Sequence, residues 1–270
     1  MNLRPRLLLL PPLLAVVFGL LVWPLCLLAY GSLNRGGTVS AASYVEIFCD
    51  SACLAALLHS LVLSFFVAAA ATVLCLGPAW LLARHEFTGK RLVRAAFTLP
   101  LSFSGIMVGF LAIIMLGRVG FIPQMTERIT GTAFLSGAAY QLTGLIIAYL
   151  YFEIPRGILS LESSLHFDEE MIAAAASLGA GGFQRFRWVV LPLICPALLS
   201  AFALTFSVSL GSFGVALILS RRFSVLPLEL FHQFTAMSNA PLASAMAVVL
   251  AVVALAVQYL THGLSGPHAS

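Results

Sequence analysis

The sequence predicts an all-α, polytopic membrane protein of six transmembrane helices, with a short extra-membrane helix between the fourth and the fifth. Three observations predict it. Hydrophobic residues make up 61% of the chain and charged residues 9%, against about 25% charged in soluble domains. Apolar stretches near 7–30, 56–83, 96–117, 133–155, 191–219 and 242–260 are each long enough to cross a ~30 Å hydrocarbon core as helix. Their apolarity is nearly uniform, without the polar–apolar alternation of a membrane β-barrel strand.

Taken in order, the first span follows Arg4 and Arg6 in "MNLRPRLLLLPP". A positive start is shared with signal peptides, but this apolar run is longer than the roughly 7–15 residues of a cleaved leader. It reads as a retained span, with a cut near "VSAAS" at 39–43 as the alternative. The second span leads into "RHEFTGKRLVR", which carries Arg84, Lys90, Arg91 and Arg94. The third contains Gly105 and Gly109, a spacing that points to close helix packing. On the fourth, Ser136, Tyr140 and Thr143 recur at i, i+4 and i+7 with Gln141 beside them; on the fifth, Thr205, Ser209 and Ser212 do the same. Such stripes either line a polar path or simply bond the preceding turn and neighbouring helices. Glu153 is placed at the cytoplasmic margin of the fourth span, before Pro155 and Arg156, so no acid is expected at mid-span.

Orientation follows from the basic residues, which collect in short cytoplasmic loops. Nine fall on one side: Arg4, Arg6, Arg84, Lys90, Arg91, Arg94, Arg156, Arg185 and Arg187. Five fall on the other: Arg35, Arg118, Arg128, Arg221 and Arg222. Both termini are therefore expected in the cytoplasm. The net charge of +4 reads as membrane topology, since nothing interleaves basic and aromatic residues as a nucleic-acid surface would.

Catalytic and ligand-binding motifs are absent from the sequence. The nearest approach to a phosphate-binding loop, "RHEFTGKR", has Arg84 where the first Gly should stand and Arg91 where Ser or Thr should hold magnesium. The six histidines lack metal-ligand spacing, and no G-x-S-x-G elbow occurs. No catalytic, cofactor-binding or metal-binding residue is expected in this chain. His59, the one histidine near a span interior, is read as a packed or interfacial neutral side chain. Cys26, Cys75 and Cys195 lie in spans and act as small hydrophobes, while Cys49 and Cys53 in "FCDSAC" are either free thiols or a disulfide.

The segment "DEEMIAAAASLGAGGFQRFRWVVLPLICPAL" at 168–198 interrupts the apolar pattern. Asp168 suits an N-cap, Glu169 and Glu170 occupy the positive end of the helix, and Phe167 and Ile172 stand at the positions of a hydrophobic staple. Gly179 falls where a left-handed residue would stop the helix after about three turns. That is too short to span. Met171, Ala174, Ala175 and Leu178 share one face, giving a shallow apolar knob. Phe183 and Phe186 mark a second amphipathic turn after the glycines, with Pro192 at the entrance to the next span. Such a knob either docks in a partner's socket or packs on its own bundle.

On these residues the chain resembles the permease subunits of binding-protein-dependent ABC importers. Their cytoplasmic signature has E-A-A, three variable residues and G, then a hydrophobic-x-L-P. "AAAASLGAGGFQRFRWVVLP" sets Ala173, Ala174 and Ala175 on the E-A-A and carries Gly179, Ala180 and Pro192 into the remainder, followed by Pro196. The departure is Ala173 in place of glutamate; Glu169 or Glu170, one turn earlier, stands as the candidate substitute. "TLPLSFSGIMVGFLAIIMLGRVG" at 98–120 and "SLGSFGVALILSRRFSVLPLELF" at 209–231 extend the resemblance, closest to the branch serving polyamines, phosphonates, thiamine, ferric iron, sulfate and molybdate.

The resemblance implies one permease domain over 1–270, with the 156–190 connection holding a coupling helix. Its ATPase-contacting residues would be Glu169, Glu170, Ala173, Ala174, Ala175, Leu178, Gly179, Ala180 and Pro192. It implies a multi-pass protein of the bacterial inner membrane, and as partners a second permease subunit, two cytoplasmic ATPases that bind ATP and magnesium, and a periplasmic binding protein. The solute would be small and polar or charged, with a leaning to polyamines that rests on the resemblance alone. Tyr140, Gln141, Thr205, Ser209 and Ser212 are the candidates for the solute path. A secondary transporter or channel acting without an ATPase is the alternative, and a membrane-embedded enzyme the third class.

Overall fold

The computed structural model describes residues 16, 18–35, 37–132, 136–165, 169–220 and 223–264. Helix α1 (Phe18–Leu33) ends in a two-stranded antiparallel hairpin, β1 (Asn34–Arg35) and β2 (Thr38–Val39), with Asn34 opposite Val39. Helix α2 (Ala42–Cys49) leads into α3 (Ser51–Arg84). Asp50 caps α3 by accepting from the Ala52 N–H at 3.2 Å. Hydrogen bonding from the Cys53 thiol, and then from the Ala52 N–H, holds the Asp50 carboxyl below its ordinary range. With 34 residues, α3 is about 51 Å long at 1.5 Å per residue.

Five helical segments are long and apolar enough to cross a membrane: α3, the pair α5 (Gly105–Leu116) with α6 (Phe121–Thr130), α7 (Leu142–Ser164), α9 (Gly182–Leu210) and α12 (Ala240–Leu264). Among the described residues α1 is apolar but shorter. The remaining elements are α4 (Lys90–Thr98), α8 (Glu169–Ser177), α10 (Phe213–Leu219) and α11 (Leu226–Thr235).

Three of the expected span boundaries are corrected. The third does not begin at 96, because Pro100 and a 3₁₀ turn at Leu99–Ser102 separate the basic helix α4 from α5. Helix α5 restarts at Ser104, whose Oγ accepts from the Met107 N–H at 3.3 Å. The fourth does not run over 133–155. Gly137 takes φ +74°, and the 3₁₀ turn Ala138–Tyr140 lies so close to Gly144 that a Cβ there would sit 2.3 Å from the Ala138 carbonyl oxygen. The helix starts only at Leu142 and continues to Ser164, beyond an ion pair between Glu162 and Arg94 of α4. The fifth stops at Leu210: Gly211 and Ser212 break it, and α10 is a separate helix.

Packing is centred on α3, whose Ser60, Ser64, Ala68, Ala71, Cys75 and Ala79 are buried in a line of small side chains. Small residues let helix backbones approach where lipid offers no hydrophobic drive for association. Helices α7 and α9 use that seam: a Cβ on Gly157 of α7 would lie 2.8 Å from Cys75 Sγ and 3.7 Å from Thr205 Cγ2 of α9. One core cluster joins Val67, Val108, Leu145, Tyr149 and Val215; a second joins Cys75, Leu82, Ile158, Leu161 and Ile194. A third, at the hairpin end, joins Ile47, Leu57, Leu226 and Met246.

At that same end, Ser60 Oγ accepts the Leu226 N–H at 2.7 Å, and His59 Nδ1 donates to the Ser224 carbonyl at 3.1 Å with its ring edge against Phe223. Cys49 and Cys53 are free thiols, one exposed and one buried. Gly105 and Gly109 seat α5 on α10: a Gly105 Cβ would be 3.2 Å from the Val215 nitrogen, and a Gly109 Cβ 2.7 Å from Ile218 Cβ.

That contact makes a test. Gly109→Ala should destabilise the protein by about 1–3 kcal/mol by forcing α5 from α10. Gly77→Ala in α3, where the added carbon meets nothing within 4 Å, should be neutral or stabilising by up to about 1 kcal/mol. Thermal unfolding of both variants in detergent distinguishes the two; equal melting temperatures would show that the α5–α10 approach is not tight.

Candidate functional site

The segment between α7 and α9 forms a discrete helix outside the bundle. In α8 the backbones of Glu169 and Glu170 are helical; the capping expected of Phe167 and Asp168 lies outside the described residues. At the far end, Gly179 takes φ +83°, the Gly179 N–H bonds to the Ala176 carbonyl at 3.0 Å, and the Ala180 N–H bonds to the Ala175 carbonyl at 3.1 Å. This pair of bonds is a Schellman stop. A Cβ at Gly179 would meet no atom within 4 Å, so glycine is required there by the left-handed backbone and not by crowding.

Helix α8 packs mainly against the first turns of α9. Ala175 and Ala180 are half-buried; Ala173, Ala174, Met171 and Leu178 are exposed, Leu178 at 89%. The next cap is Gly181, whose N–H donates to Gln184 Oε1 at 3.0 Å. The helix then widens to a π turn over Phe186–Val190, where the Leu191 N–H reaches the Phe186 carbonyl. Pro192 lies next, exposed. A proline has no N–H to give and its ring crowds the preceding turn, and the wider turn accommodates both effects. Phe183 and Trp188 are largely exposed, and the Arg187 guanidinium stacks 5.4 Å from the Trp188 ring centroid.

The two expected polar stripes are not brought together. Thr205 is fully buried, its Oγ1 donating to the Ala201 carbonyl at 2.8 Å, and Ser209 is buried as well. Both lie inside the subunit's own packing. Ser212 is past the Gly211 break and off their helix; its carbonyl accepts the Tyr149 hydroxyl at 2.8 Å. Ser136, in a turn, donates to the Arg118 carbonyl at 3.2 Å, Tyr140 ends a 3₁₀ turn, and Gln141 is an exposed residue just ahead of α7. The i, i+4, i+7 periodicity assumed a helix that begins too late to contain Ser136, Tyr140 and Gln141.

The same shift changes where Glu153 falls within its helix. It stands eleven residues from both Leu142 and Ser164, at the midpoint of α7, roughly 16 Å from either end. Its side chain is 1% exposed. Arg156 Nη1 donates to both carboxylate oxygens at 3.2 Å, and the guanidinium lies 4.9 Å from the Phe152 ring centroid. An acid and a base three apart inside an apolar run were the available signal, hidden when the fourth span was begun too early.

No protein-family model matches the chain. It is 31% identical over 168 residues to the molybdenum transport system permease protein ModB of Haemophilus influenzae, covering 62% of this chain and 67% of that one. To the probable sulfate transport system permease protein cysT of Prototheca wickerhamii it is 30% identical over 188 residues, 67% and 71% of the two chains. To the spermidine/putrescine transport system permease protein PotC of Haemophilus influenzae it is 28% identical over 256 residues, 91% and 92%. A chain of a bacterial ABC transporter that imports the acidic polysaccharide alginate shares the fold at TM-score 0.77 and 18% identity over 97% of this chain and 94% of that one; it is also solved with an alginate pentasaccharide-bound periplasmic protein. An amino acid ABC transporter shares the fold at TM-score 0.54 and 18% identity, over 84% and 98%. With two relatives at 30% identity or above over at least two thirds of their length, and with the fold of these transporters, the chain belongs to the permease subunits of ABC importers.

Proposed function

We propose that this chain forms the solute path of an ABC importer and that α8 couples the path to an ATPase subunit. The observation that carries the proposal is α8 itself: a short helix outside the bundle, ended by the Gly179 stop, with Met171, Ala174 and Leu178 exposed. Alanine lets a partner's backbone come close, and the exposed apolar side chains gain by being covered. Helix α9 runs from beside this knob into the bundle, giving a movement of the knob a direct route to the core. ATP and magnesium then belong to the partner ATPases. A second permease subunit and a periplasmic solute-binding protein complete the assembly, as the alginate transporter's complex with its periplasmic protein supports.

The solute is small and charged. Relatives named for molybdenum, sulfate and spermidine/putrescine span both signs of charge, so a polyamine is one member of that range. The setting is a bacterial inner membrane, with α4 and α8 on the cytoplasmic side, where the positive residues Arg84, Lys90, Arg91, Arg94, Arg185 and Arg187 gather.

Two experiments bear on this. Ala174→Glu should leave the exposed helix folded but abolish ATPase co-purification by placing an unpaired charge in the socket. Gly179→Ala should weaken ATPase binding through about 1–2 kcal/mol of left-handed strain, and Gly182→Ala, in open space, should bind as wild type. Full ATPase binding by all three would make α8 a passive loop. For orientation, cysteines introduced at the exposed positions Thr38 and His85 should be labelled from opposite faces by an impermeant maleimide, with His85→Cys reached from the cytoplasm; labelling of both from one face would overturn the topology.

A further inference from the structure

The basic helix α4 carries an inference that rests only on the chain being a membrane permease and stands apart from coupling through α8. Two contacts hold it to the bundle: Phe97 packs against the cluster of Leu82, Ile158 and Leu161, and the Arg94 guanidinium pairs with Glu162 at the end of α7. Little else of it is covered. Leu92 is 76% exposed, Leu99 just beyond the helix is 65% exposed, and Ala95 and Ala96 are exposed as well.

Helical phase sorts these residues by chemistry. At about 100° per residue, Lys90, Arg91, Arg94 and Thr98 fall on one side, and Leu92, Ala95, Ala96 and Leu99 fall on the opposite one. Lys90 pairs within the segment to Glu86 at 2.7 Å, whereas Arg91 is exposed and makes no ion pair among the described residues. In water the leucines stay uncovered, and a protein socket built for them would need acids nearby to meet the cations. The chain also limits where α4 can go: residues 85–89 join it to α3 and residues 99–104 join it to α5, both parts of candidate spans. It is kept close to where those spans end.

A helix with cations along one side and aliphatic side chains along the other is suited to lie in the plane of a bilayer surface, its apolar side against the acyl chains and its charges among the head groups. Lys and Arg at such a surface favour anionic lipid. We propose that α4 is a lipid-surface helix that recognises anionic phospholipid. Leu92, Ala96 and Leu99 enter the acyl-chain boundary, and Arg91 meets the head-group phosphate, to which a guanidinium offers several N–H donors. Arg94, through Glu162, ties the end of α7 to that surface.

The test follows a bimane fluorophore on the full chain in nanodiscs. Leu92→Cys and, separately, Thr98→Cys are built with Cys26, Cys49 and Cys195 changed to serine, leaving the buried Cys53 and Cys75. Phosphatidylcholine discs receive phosphatidylglycerol or phosphatidylcholine carrying a nitroxide high on the acyl chain, and quenching is measured against its mole fraction. Both lipids should quench the probe of Leu92→Cys more strongly than that of Thr98→Cys. Labelled phosphatidylglycerol should reach half-maximal quenching at a mole fraction about fivefold lower than labelled phosphatidylcholine, the order given by one basic residue at an anionic surface. Arg91→Gln should remove that advantage and Arg91→Lys should keep it. Quenching by neither lipid would place the apolar side against water or protein, and equal quenching by both would leave a membrane contact without head-group recognition; either result overturns the inference. Loss of quenching on adding the ATPase subunits would do so too, by making them the cover of this face.

Discussion

The close approach of α3, α7 and α9 is the constraint on which the rest of the structure depends. In a bilayer, helices do not associate to hide apolar surface from water, so packing must supply the attraction. Here it does so through a line of serine, alanine and cysteine on α3, met by Gly157 on α7 and the Thr205 methyl group on α9. The hydroxyl of Thr205 bonds back within its own helix, so it is the methyl group that faces Gly157. A side chain any larger at Gly157 would collide with Cys75 Sγ at 2.8 Å and prise the three helices apart.

Once those helices are fixed, the ends of the bundle acquire different chemistry. At the hairpin end, loops are tied down by single polar contacts, Ser60 to Leu226 and His59 to Ser224. At the other, Arg94 and Glu162 clamp the basic helix α4 to the end of α7, and the chain then leaves the bundle to form α8 before returning along α9. The knob is held away from the core by its connection and shaped by one glycine. Its firmness comes from backbone bonds at Ala175 and Ala176, which need no support from the bundle.

Much of this was legible in the sequence, and the failures have physical causes. The membrane class and the second and sixth spans followed from apolar length, and the stop at Gly179 from the rarity of left-handed backbone outside glycine. The G-x-x-x-G at Gly105 and Gly109 correctly announced close packing, though its partner, a short helix around Gly214, could not be read from spacing. Hydropathy failed where a helix breaks without losing apolarity. Residues 133–141 are as greasy as a span, yet a left-handed Gly137 and a 3₁₀ turn delay the helix to Leu142; Gly211 and Ser212 split the fifth span in the same way. The late start leaves Ser136, Tyr140 and Gln141 outside α7 and the early stop leaves Ser212 outside α9, which is why the polar stripes dissolved and Glu153 stands at the midpoint of the longer α7.

The central claim is that this chain moves solute only when an ATPase partner drives it through α8. Its most direct test is uptake of labelled molybdate, sulfate and spermidine into liposomes holding the permease assembly, with and without the ATPase subunits and with ATP or a non-hydrolysable analogue. The account predicts uptake of a solute only with ATPase and hydrolysable ATP present, in the presence of the binding protein. Uptake by the permease chain alone, indifferent to ATP, would contradict it and make the protein a self-sufficient transporter or channel.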